Sequence, residues 1–123
     1  MTVAILPTDD AAVDAAPPLD LTTALRDIAS ICERAAKGDL EARVNRIDGM
    51  GDAAPVAHAI NHMLDIADSF VREASAAMDS CSRGRFHRPI LLRGLKGAYR
   101  QSASVINAAG SVMHDDAERL AFV

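Results

Sequence analysis

An all-α fold of coiled-coil helices joined by extended connectors is what the sequence predicts, and three observations carry that expectation. Apolar residues recur at alternating spacings of three and four, which lays them along one seam of a supercoiled helix. The first two such runs stop at a glycine, at Gly38 and then Gly84. The core-forming residues are mostly small: hydrophobic residues make up 50% of the chain but aromatics only 3%, a composition suited to closely spaced helices.

Residues 1–17 combine Pro7 and Pro17 with Asp9, Asp10 and Asp14 and lack periodicity, so they read as a flexible leader. A first helix is expected from Leu19 to Lys37, with Leu21, Ala24, Ile28, Ile31 and Ala35 on its seam and Leu25 and Cys32 widening the stripe. Gly38 ends it, because glycine adopts the left-handed cap conformation without a side-chain clash. The stretch from Asp39 to Ala54 reads as an extended connector with Leu40, Val44 and Ile47 inward, and Asp52 is positioned to cap the second helix. That helix is the longest signal, carrying Val56, Ile60, Met63, Ala67, Phe70, Ala74, Ala77 and Cys81 on an unbroken seam of about 28 residues before Gly84. A second connector has Phe86, Ile90 and either Leu91 or Leu92 inward, with Pro89 excluding a regular helix. The last helix begins near Ala98 and places Ser102, Ile106, Ala109, Met113, Asp116 and Leu120 on its seam.

The two halves repeat at a constant offset of 46 residues. Gly38 maps to Gly84, Leu40 to Phe86, Val44 to Ile90, Gly51 to Gly97, Ile60 to Ile106 and Asn61 to Asn107. The chain is therefore expected to be two tandem helix-connector-helix units that share their middle helix. Asn61 and Asn107 stand beside the seam at matching places, where each either bonds to the connector backbone and fixes its register or is simply solvated.

The run AKGDLEARV through to AINHML resembles a HAMP domain, the signalling relay of sensor histidine kinases and chemoreceptors. Gly38, Asp39 and Leu40 match its Gly-Asp-Leu element; Ala59, Ile60, Asn61, Met63 and Leu64 match the start of its second helix, and Pro18 stands at its proline before the first. Residues 18–70 form the closer unit. Residues 71–120 form a divergent one, with Gly97, Ala98, Tyr99 and Arg100 at the element where the family has Asp-Glu-Ile-Gly and unit one has Gly51, Asp52, Ala53 and Ala54. The resemblance implies a parallel homodimer with dimeric four-helix bundles stacked in tandem. It also implies two packing states that upstream input biases, and a downstream methyl-accepting or histidine-kinase output module.

Other residues open other readings. His58 and His62 lie i,i+4 and could share a metal or haem, although positions 59–61 lack the glutamate of a zinc-protease motif. Cys32 and Cys81 read as small core hydrophobes. Residues 83–100 hold Arg83, Arg85, Arg88, Arg93, Lys96 and Arg100 with no acid, as a solvated or intersubunit charge run, a docking surface, or a nucleic-acid contact lacking any recognisable binding motif. The net charge of -4 gives no global drive toward nucleic acid, and no phosphate loop, nucleophile elbow or paired-carboxylate site marks an enzyme. No cofactor, disulfide framework, secretory signal or membrane span is expected, and the cytoplasm is the default location. A signal relay is the leading reading; a histidine-based sensor and a passive dimerisation module are its competitors.

Overall fold

The computed structural model describes residues 19–86 and 88–121; the expected leader and Pro18 lie outside them. The described residues form three α-helices and two short 3-10 turns with no strand, an all-α fold. They are α1 (Leu21–Ala36), α2 (Ala54–Ser82) and α3 (Gly97–Ala121), with the turns at Ile47–Gly49 and Gly51–Ala53. The chain divides into two compact units, Met1–Ile66 and Ala67–Val123, and α2 contributes residues to both.

Helix α1 starts where Asp20 accepts a 2.7 Å hydrogen bond from the Thr23 N–H, satisfying one of the amides that a helix start leaves without a partner. It ends in a Schellman arrangement, in which the Gly38 N–H donates to Ala35 O and the Asp39 N–H to Arg34 O. Helix α2 ends in the same way, Gly84 donating to Cys81 O and Arg85 to Ser80 O. The caps require φ of +103° at Gly38 and +77° at Gly84. Asp52, expected as a cap for α2, instead falls within the 3-10 turn that runs straight into that helix.

In unit one the connector returns toward the start of α1, since the Leu19 N–H donates to Gly49 O across 2.9 Å. Connector residues then pair with α2 in descending order: Val44 meets Asn61, and Arg43 meets Asp65. The connector thus runs antiparallel to both helices, which makes α1 and the first part of α2 parallel. Their core holds Ala24, Ile28, Val44, Met50, Ala53 and Ala57, with Leu19, Ile31, Ile47, Ala54 and Ile60 packed against it. Unit two repeats the logic within itself. Phe70 contacts Tyr99 and Cys81 lies beside Gly110, both 29 residues apart, so the later part of α2 and α3 run parallel. Its core is Ala77, Ile90 and Ala103, with Phe70, Ala74, Leu92, Leu95 and Ile106 against it.

The buried stripe departs from the predicted seam where a helix plays the second role in its unit. The residues most buried in α2 before Ile66 are Ala57 and Leu64, whereas Val56 and Met63 stay 47% and 56% exposed. In α3, Ala103 and Gly110 are buried, whereas Ser102, Ala109 and Met113 are exposed. Small side chains at Ala53, Ala57 and Ala103 permit close backbone approach, so the intrachain contact selects the alanine stripe next to the larger residues. Leu21 and Leu25 of α1 also remain open, Cys32 is exposed rather than a core residue, and of the Leu91 and Leu92 alternatives it is Leu92 that packs inward.

The glycine caps give a direct test. A Cβ at residue 38 or 84 would meet nothing within 4 Å, so its cost is backbone strain alone. Gly84→Ala should lose about 1–2 kcal/mol, the penalty of left-handed backbone for an L-residue. Gly38→Ala should lose more, because +103° lies outside the left-handed well. Urea denaturation of each variant measures this.

Candidate functional site

Each unit closes around one asparagine. The Asn61 side chain accepts from the Val44 N–H at 2.8 Å and donates to the Val44 carbonyl at 3.0 Å. Asn107 does the same to Ile90, at 2.7 and 2.8 Å. A primary amide presents an acceptor and a donor side by side, so it can pair with both polar groups of one extended residue, as a neighbouring strand would. The clamped residues are core residues: Val44 and Ile90 are each 3% exposed. Their backbone groups would otherwise be buried without partners, so the clamp removes a cost while fixing the connector's register. Of the two alternatives open at these asparagines, bonding to the connector is the one present.

Around the clamps the units diverge. In unit one, Arg43 bridges outward to Asp65 at 2.9 Å while also donating to the carbonyls of Leu40 and Ala42. The equivalent positions in unit two are Pro89 and Ser111, which cannot form that bridge. There Arg100 donates to Leu92 O at 2.8 Å, and the Phe86 ring lies 5.8 Å from His114. At the first glycine cap, Arg34 pairs with Asp39 at 2.7 Å. The Arg34 guanidinium is the main cause that holds the Asp39 carboxyl below its ordinary value, with smaller help from backbone amides after it.

The packing residues expected from sequence fall into two groups. Ile28, Val44 and Ile90 are buried; Ile31, Leu40, Ile60, Phe70, Phe86 and Ile106 are half-buried. Leu21, Val56 and Met63 are exposed apolar residues on unit one. His58 and His62 are both exposed, and the described residues contain no group of three or more metal-ligating side chains. Sequence reasoning missed the Arg43 bridge; the signal available was an arginine one residue before the clamped valine. It also missed Arg100, whose partner is a carbonyl and leaves no trace in a sequence.

A similar segment occurs in a chemotaxis protein. Over 104 residues, 84% of this chain, the sequence is 40% identical to the methyl-accepting chemotaxis protein Amb0994 of Paramagnetospirillum magneticum. The chain is thus related to a chemoreceptor segment. The match spans 23% of that protein's length. No protein-family model matches the chain, and no solved structure does. No helix among the described residues is long and apolar enough to cross a membrane.

The clamps and the first cap can each be tested by substitution. Asn61→Leu and Asn107→Leu keep the approximate volume but strand a buried N–H and carbonyl, and each should lose about 1–3 kcal/mol. Amide hydrogen exchange should show the Val44 amide opening faster only in the first variant and the Ile90 amide only in the second. Acid titration probes Asp39. Its pKa is lowered on folding, so its contribution is present above the ordinary value of 3.8 and is lost as pH falls through the lower folded value. Asp39→Asn should flatten that part of the stability profile, measured by urea midpoints from pH 5 downward.

Proposed function

We propose that the chain is a non-enzymatic relay, built of two HAMP-like units, that passes a change of helix packing along a parallel homodimer within a chemotaxis-type receptor. The observation that carries the proposal is the asparagine clamp, repeated with the same 17-residue reach in both units. A relay needs connectors that hold register while the helices adjust, and a two-point bond to one backbone residue supplies such a pivot. The unbroken α2 adds the transmission element: it bears the Asn61 clamp and also the Phe70, Ala74 and Ala77 contacts of unit two. A rotation imposed on its first turns is carried to its last unless the helix breaks.

The dimer is supported by what one protomer leaves open. Leu21, Leu25, Val56 and Met63 are each 47% or more exposed and border the unit-one core. A second parallel copy would cover them and complete a four-helix bundle. The relative's name supplies the context, a methyl-accepting chemotaxis protein, and a methyl-accepting output module downstream in the cytoplasm fits it.

Spin labels decide the architecture. With Cys32 and Cys81 replaced by alanine, single labels at Ala36→Cys and Ser82→Cys should each give interspin distances within roughly two helix diameters, about 20–24 Å, alongside a dimeric mass. Two maxima whose weights change on adding Asn61→Leu would support two packing states. A monomeric mass, or long distances at both labels, would sink the parallel relay.

A further inference from the structure

The connector of unit two keeps the cap, the clamp and the closing glycine of unit one but reverses its charge. Both come after a Schellman cap, both are clamped by an asparagine, and both reach a glycine with φ of +56°, at Gly51 and Gly97. Yet the four acids of the first connector, Asp39, Glu41, Asp48 and Asp52, are replaced at the 46-residue offset by Arg85, His87, Gly94 and Ala98. All 17 acids of the chain lie outside residues 83–100, while six of its 13 lysines and arginines lie within.

Three of those six are already engaged. Arg83 pairs with Asp79 and Arg88 with Glu73, at 3.2 and 3.5 Å, and Arg100 holds the Leu92 carbonyl. The side chains of Arg85, Arg93 and Lys96 are exposed and make no hydrogen bond or ion pair among the described residues. Between them stands Leu91, 77% exposed, the most exposed large hydrophobic among the described residues. Its direction is set by the clamp: Asn107 holds Ile90 inward on extended backbone, so the next side chain points away from the core. Unit one places Asn45 at this position. Leu91 and Arg93 share the rim of a cleft of about 290 Å³ with Ser69, Phe70 and Glu73.

We propose that residues 83–86 and 88–100 form a cationic strap that docks on the anionic headgroups of a lipid bilayer, with Leu91 as its apolar anchor. A diffuse anionic surface suits cations at irregular spacing on an irregular connector and the helix start that follows it, since it demands no register from them. Each basic residue near such a surface raises partitioning by roughly fivefold at physiological ionic strength. Nucleic acid is the poorer occupant, because both aromatic rings of the strap are turned to intramolecular contacts, Phe86 on His114 and Tyr99 on Phe70.

The test is co-sedimentation of the full chain with vesicles of phosphatidylcholine containing about 30 mol % phosphatidylglycerol, against pure phosphatidylcholine. Binding is expected on the anionic vesicles alone and should fade in high salt. The triple variant Arg85→Ser, Arg93→Ser, Lys96→Ser should lose roughly a hundredfold in partitioning, and Leu91→Ser severalfold. Helical content measured by circular dichroism verifies that each variant folds. A charge-matched control, Arg26→Ser, Lys37→Ser, Arg119→Ser, should bind as the native chain does. Absence of binding by the native chain would overturn the proposal and leave the strap to a second copy or an acidic protein. Equal loss in the control would overturn it too, by showing that net charge alone governs binding.

Discussion

The bond between an asparagine amide and the backbone of one connector residue is the constraint on which each unit depends. A connector that must run beside two parallel helices cannot satisfy its own polar groups as a helix does, and where it enters the core it has no water to turn to. One amide side chain resolves this at Val44, and a second resolves it at Ile90. Once that residue is fixed, the neighbours have little freedom. The glycine cap sets where the connector leaves the first helix, and the clamp sets where it crosses the second.

The two units show how much can vary around this constraint. Leu64 in unit one has Gly110 as its counterpart, and the position of Ala35 is taken by Cys81, whose sulfur lies 3.4 Å from where a Cβ on Gly110 would stand. Leucine and alanine in unit one are thus replaced at the matching positions of unit two by the smaller pair glycine and cysteine. The outer supports vary more freely. Arg43 with Asp65 braces one connector, while Arg100 and the Phe86–His114 contact brace the other. Bonds exposed to water contribute less and are replaced more readily than the buried pair.

Much of this was legible in the sequence because it rests on local rules. Gly38 and Gly84 announce helix ends through backbone conformation, and the repeat of 46 residues aligns the caps and the clamping asparagines of the two units, although the 3-10 turns of the first connector have no counterpart among the described residues of the second. The bonding of Asn61 and Asn107 was one of two open readings, since an amide beside a seam looks the same whether it meets backbone or water. The difference between the predicted seam and the stripe buried within one protomer has another origin. Heptad spacing ranks Val56 and Met63 above Ala57 because they are larger, whereas the contact within one protomer is decided by how closely two backbones can approach. Side chain to carbonyl bonds such as Arg100 to Leu92 depend on tertiary geometry and have no sequence period to reveal them.

The edge-on contact of Tyr99 with Phe70, ring centres 5.3 Å apart, gives the two units different optical visibility. The chain contains no tryptophan and a single tyrosine, and its first 66 residues hold no phenylalanine either. Intrinsic fluorescence and near-ultraviolet dichroism are therefore a private window on unit two. Unit one can loosen its core without changing either signal, so loss of its structure becomes apparent only through the backbone or an introduced probe. A molecule built from near-copies of one motif thus carries a natural label on one copy.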